Sequence, residues 1–298
     1  MAKALVAHRS LPPCRFGIEI IRRQAMSPPE SVPARLHVLL ASESPMAVVV
    51  RRGPSQRHTT FGWNRGDDSF ISGDSFRGRI YGMRGSISPD GKHWIYFARH
   101  AFRGSWTAIA RVPELKALTV FRKPDGDTWN GGGIFTTNKT FWFNKDSLDC
   151  DVVIRESGHF LREPDDAVVL SAGGCAGVYG ITLARNGWEV IRSRTGLTSY
   201  GKKLSDRWVL QKEFPANSIP GKLIDYEDHT LFSQDPDIAS IPCPNWEWAD
   251  WDAERKSLVW AQGGCLYRAP LPKADDGLKP KLLYDFNGMT FDRRQAPY

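Results

Sequence analysis

The sequence predicts an all-β fold, a single five-bladed β-propeller, and three observations carry that prediction. A turn followed at once by a strand recurs along the chain, centred on Pro45, Asp90, Asn138, Asn186 and Glu254. The first three intervals are 45, 48 and 48 residues, the length of a four-stranded blade. Helical periodicity is nearly absent, whereas Gly, Trp, Tyr and Phe, which favour turns and strands, are plentiful.

The elements follow in order. "ASESPMAVVV" opens the first unit, "SISPDGKHWIYF" the second, "FTTNKTFWFN" the third, "TLARNGWEVI" the fourth and "DWDAERKSLVW" the fifth. In the second unit four strands are expected, at 80–87, 94–99, 106–111 and 117–121. Pro89-Asp90-Gly91 supplies a fixed φ and then a residue free to take positive φ. Apolar residues on both faces of "HWIYFA" fit a blade packed between two neighbours. The last interval, 68 residues, exceeds one blade, and its surplus is assigned to loops at 199–207 and 215–221. A sixth blade is the alternative if 222–241 builds one. "YDFNGMTFDRR" near the C-terminus is expected to supply the strand that completes the first blade.

"SISPDGKHWIYFA" also resembles the "SPDG" repeats of TolB-type propellers, and the whole pattern is similar to a group of uncharacterised bacterial propeller-like proteins. One good copy and four degenerate ones carry the resemblance. It implies the propeller shape and no particular chemistry. TolB-type proteins are periplasmic, whereas no export signal is read here.

The formal charge is +7, but residues 1–25 hold five basic side chains against Glu19, which leaves 35 basic and 32 acidic residues beyond them. The body is therefore nearly balanced, which argues against a nucleic-acid partner. A disordered or over-extended tail is expected over residues 1–30, with one propeller domain over 31–298. No apolar run is long enough to span a bilayer. Five dispersed cysteines without a CxxC pair suit a reducing compartment, and a cytoplasmic protein is expected.

Few motifs suggest chemistry. "SGDSFRG" resembles the nucleophile motif of GDS-type esterases at Ser75, yet its surroundings are β-rich and offer no strand-to-helix elbow, and a turn between blades is the expectation. The seven histidines form no HxH or HExxH pair, so no metal or cofactor is expected. "VVVRRGPSQRH" lacks interleaved aromatics and is read as a solvated surface. The glycine runs at 131–133 and 173–180 are read as tight entries to innermost strands, because neither is a phosphate loop.

Two stretches hold the candidate binding residues. Asp67 and Asp68, in "NRGDDS", offer paired carboxylates in a polar turn. "NWEWADWD" places Trp246, Trp248 and Asp250 on one face of a strand and Glu247 on the other. These tryptophans either wedge between blades or, with Glu247 and Asp250, line a central funnel. The expected function is a non-enzymatic binding scaffold for a protein or peptide. The alternative is a propeller that binds or hydrolyses carbohydrate through a funnel of Trp and carboxylates.

Overall fold

Five small β-sheets follow one another along the chain and are arranged as the blades of a propeller. They are seen in a computed structural model. It describes residues 32–54, 56–123, 126–145, 152–168, 174–194, 196–214, 226–273, 276–289 and 296–298. The tail expected over residues 1–30 lies outside them.

The first sheet is an antiparallel meander of β1 (Arg35–Leu40), β2 (Met46–Arg52), β3 (Arg57–Asn64) and β4 (Ser69–Arg77). The second holds β5 (Arg79–Ile80), β6 (Ser86–Ile87), β7 (His93–His100), β8 (Gly104–Arg111) and β9 (Ala117–Arg122). The single first strand expected at 80–87 is split into β5 and β6 by a 3-10 turn at Gly82–Arg84. Gly91, at φ 73°, closes the turn before β7. The third sheet has β10 (Gly133–Phe135) and β11 (Thr140–Phe143), while β12 (Val152–Arg155) returns to the free edge of β9. β13 (Leu161–Arg162) pairs with β11 in parallel.

The fourth unit departs from expectation. The glycine-containing run read as a strand entry is instead helix α1 (Gly174–Arg185). Cys175, Tyr179 and Leu183, four residues apart, form the buried stripe of that helix, and Gly177 and Gly180 between them hide the helical period. The turn at Asn186-Gly187 then leads into β14 (Glu189–Arg194), β15 (Leu197–Lys203), β16 (Trp208–Phe214), β17 (Asp228–Ser233) and β18 (Ile241–Cys243). The long interval is therefore largely a five-stranded sheet. Most of the loop expected at 199–207 is β15, the loop expected at 215–221 lies outside the described residues, and β17 pairs with β16 instead of founding a sixth blade. The fifth sheet is β19 (Trp246–Asp252), β20 (Ser257–Gln262), β21 (Cys265–Ala269) and β22 (Lys281–Asp285).

Five buried cores join the sheets into a ring. Val48, Trp94, Tyr96 and Ala98 fill the first-to-second seam, and Ile95, Phe121, Phe135 and Phe141 the second-to-third. Ile134 and Trp142 of the third sheet meet Val178 of α1. Tyr179, Trp208, Leu210, Trp246 and Trp260 join α1 and the fourth sheet to the fifth. Trp248, Val259 and Phe286 close on Phe61 and Trp63 of the first sheet. Full burial of such a side chain contributes about 1.5–3 kcal/mol.

Among the described residues closure does not use the shared strand expected at the C-terminus, of which 290–294 lie outside them. β22 pairs with β21 inside the fifth sheet, and the first sheet supplies all four of its own strands. Side chains close the ring instead: Phe286 is fully buried and lies edge-on to Phe61, with ring centroids 5.0 Å apart. Arg51, read from sequence as part of a solvated patch, is buried in this seam and donates from Nε to the Phe286 carbonyl at 2.6 Å.

Candidate functional site: the funnel mouth

Each repeated turn joins the first element of its unit to the next strand, so identical topology brings all five turns to one end of the ring. Cross-blade bonds tie them together in a circle. The Glu43 amide donates to the Pro89 carbonyl at 2.9 Å, and the Asp90 amide to Asn138 Oδ1 at 2.8 Å. Arg185 at the end of α1 donates to the Thr136 carbonyl at 2.9 Å. Lys202 Nζ meets Asp250 Oδ1 at 2.6 Å, and Trp188 Nε1 donates to Asp250 Oδ2 at 3.3 Å. Arg65, buried in the β3–β4 turn, reaches Asp252 at 2.9 Å and the carbonyls of Ala41 and Ser44 at 3.0 and 2.6 Å. Every seam of the ring thus carries at least one polar bond at this face.

Two adjoining cavities open inside the circle. One, of about 270 Å³, is lined by Ser86, Ile134, Thr136, Thr137, Asn138 and Thr182 among others. The other, of about 570 Å³, has Arg65, Lys202, Asp250, Trp251 and Glu254 on its wall. Leu40, Ser42, Glu43, Arg185 and Asn186 line both. Amides, hydroxyls and charges of both signs share the walls with apolar side chains, and Trp251 is the aromatic surface of the wider cavity.

The residues expected to bind fall in different places. Asp250 belongs to the funnel, but its carboxylate is committed to Lys202, Trp188 and the Trp251 amide at 2.7 Å. Trp246 and Trp248 do not share a face. A β-bulge between them shifts the register against β20, so Trp246 stacks on Trp260 at 4.8 Å toward the fourth sheet while Trp248 packs toward the first. Glu247, the bulged residue, turns to the first blade and accepts the Leu36 amide at 2.8 Å. Burial raises its pKa against that bond and the Arg35 charge. Asp67 accepts the Ser69 amide at 2.9 Å, which makes it a turn former. Asp68 joins the first-to-fifth seam, where Arg268 and Arg255 lie 2.8 and 3.1 Å away.

Ser75 lies within strand β4, not in a connecting turn, and its hydroxyl is 3.2 Å from that of Thr59. Among the described residues no cluster of three or more His, Cys, Asp or Glu is placed to hold a metal. No helix there is long and apolar enough to cross a membrane.

A second polar cluster is sealed inside the fourth unit. Lys212 Nζ lies 3.2 Å from both oxygens of Glu227, His229 Nε2 is 3.2 Å away, and the Tyr179 hydroxyl also donates to Glu227. Burial would raise the Glu227 pKa, but Lys212, His229 and Tyr179 outweigh it and hold the group at about 2. All four side chains are buried and none lines a cavity described above, which makes the cluster a structural node.

The funnel residues Ser42, Glu43, Asn138, Arg185 and Lys202 were not among the sequence candidates. The signal that could have found them is the repeat itself, since equivalent turns in a ring collect at one face.

No protein-family model matches the sequence, and no curated protein matches it. Among solved structures, an uncharacterised protein from Listeria monocytogenes EGD-e is similar over 79% of this chain, with 8% identity and a TM-score of 0.30. The match spans 62% of that protein's length.

Proposed function

We propose that this propeller is a binding scaffold whose funnel mouth takes a small polyhydroxylated ligand, a mono- or oligosaccharide. The observation that carries the reading is the pair of adjoining cavities, lined by polar and apolar groups together and framed by five mutually bonded turns. A sugar offers hydroxyls that donate and accept at once and a C–H face that lies on an aromatic ring. Asn138, Asn186, Thr137 and Ser42 match the first requirement and Trp251 the second. Because the turns are tied to each other, the site is ordered before the ligand arrives, which lowers the entropic cost of binding.

Binding is favoured over hydrolysis. Asp250 has both oxygens engaged by donors and is poorly placed to deliver a proton, although Glu43 and Glu254 share the wall with it. The TolB-type likeness of Ser88–Gly91 concerns blade shape and contributes nothing to this choice.

A peptide partner is the second reading, and exposed edge strands favour it. Val152, Val153 and Ile154 on β12 and Val190 and Ile191 on β14 are each about half exposed, on strands that among the described residues pair along one side only. Such edges suit strand addition.

Calorimetric titration with a panel of neutral oligosaccharides tests the first reading. Saturable binding that Trp251→Ala weakens about tenfold or more, with the fold intact, is expected. A panel without a binder, together with a peptide ligand that competes at β12 or β14, would favour the second.

A further inference from the structure

The basic run Val48–His58 has no part in the funnel. Its Arg52 and His58 meet Arg79, Arg35 and His37 in a cleft of about 60 Å³, with Glu247 on the wall. The cleft lies at the opposite end of β1 and β19 from the funnel: Arg35 and Glu247 line it, while Leu40 and Asp250 line the funnel. Five residues of strand separate Arg35 from Leu40, roughly 17 Å.

Size and charge point to one kind of ligand. At about 10–15 Å³ for each water-sized group, the cleft accommodates roughly four to six heavy atoms, a range that includes the five of a phosphate. Arg35, Arg52 and Arg79 place three guanidinium groups on the wall beside one carboxylate, Glu247. We infer that this cleft binds a small tetrahedral dianion, either inorganic phosphate or the terminal phosphoryl group of a larger molecule.

The cations are held in place beforehand. The Arg35 guanidinium lies 3.6 Å over the Tyr226 ring and that of Arg79 4.5 Å over Tyr81, so ring faces position two of the three. Guanidinium is the cation best matched to the oxygens of a phosphate. His58 is an uncharged ring of the lining. Burial and the charges of Arg52 and Arg79 push its pKa down to about 4, although it lies 2.9 Å from the Gly78 carbonyl through Nδ1. The neutral ring leaves the arginines as the source of charge.

Calorimetric titration of the full chain with inorganic phosphate at constant ionic strength, with methyl phosphate in a parallel series, tests the inference. Saturable binding is expected, weakened about tenfold in Arg79→Met and in Arg52→Met. Glu247→Gln, which removes the one negative charge from the wall, is expected to tighten it. If a Met variant fails to fold, Arg52→Lys or Arg79→Lys, which keeps the charge, retains measurable binding. Equal binding of methyl phosphate assigns the site to a phosphoryl group on a larger molecule, and exclusion of the ester assigns it to the free ion. Absence of saturable binding up to about 10 mM phosphate would overturn the inference. So would an affinity that neither an arginine substitution nor Glu247→Gln changes.

Discussion

Arg268 joins Asp68 to Asp252: its Nη2 lies 2.8 Å from Asp68 Oδ1 and its Nη1 2.8 Å from Asp252 Oδ2. Asp68 belongs to the turn after β3 and Arg268 to β21, so this one guanidinium couples the first blade to the last. Arg65 completes the latch from the other side of Asp252. Among the described residues the first and last sheets share no strand, so their seam depends on such bonds and on the Phe61–Phe286 contact.

Removal of the guanidinium leaves Asp252, which is fully buried, with one fewer partner. Arg268→Leu is expected to lower the unfolding free energy by about 3 kcal/mol. Urea denaturation checks this, and a loss below about 1 kcal/mol would mean the seam holds without the latch.

Buried Trp248 and its half-buried neighbour Trp251 should respond differently. Trp248 is buried between the fifth and first sheets, so Trp248→Ala is expected to cost about 3–5 kcal/mol. Trp251→Ala, at the funnel wall, is expected to leave the melting temperature within a few degrees while saccharide binding falls. Thermal unfolding of both variants beside one titration separates packing from recognition.

Acid stability has two windows. Glu227 is depressed from 4.5 to about 2, so the stability it contributes is present above pH 4.5 and is lost as pH falls toward 2. The loss amounts to about 3 kcal/mol. Glu227→Gln is expected to be less stable at pH 7 yet to show a flatter decline across that window, as followed by chemical denaturation at stepped pH.

The upper window belongs to histidine. His58 is depressed from 6.5 to about 4, chiefly by burial and then by Arg52, so the unfolded chain takes up the proton first. Stability is full above pH 6.5 and falls as pH drops toward 4. Burial lowers the His229 pKa too, and the same sign applies. His58→Gln is therefore expected to remove only part of the decline between pH 6.5 and 4, with a slope change of at most about 1.4 kcal/mol per pH unit.

The ring was legible in the sequence because its turns announce themselves. Pro89-Asp90-Gly91 and Asn186-Gly187 fix backbone geometry locally, and the apolar residues on both faces of β7 signal two neighbours. Helix α1 was not legible, since its stripe of Cys175, Tyr179 and Leu183 is diluted by glycine. The pairing of Trp246 with Trp248 on one face failed for a different reason: strict alternation has no means of registering a bulge, which depends on the partner strand. Asp250 was offered for the funnel under only one of two readings of its strand, and its partner Lys202 lies 48 residues away on another blade. Such cross-blade pairs leave no spacing pattern in one sequence.

The most direct test of the account is a crystal structure of the protein soaked with the tightest-binding oligosaccharide of the panel. The account predicts a sugar ring against Trp251, with hydroxyls bonded to Asn138, Asn186 or Glu43 inside the circle of turns. Sugar density confined to another face, with the funnel holding only solvent at saturating ligand, would contradict it.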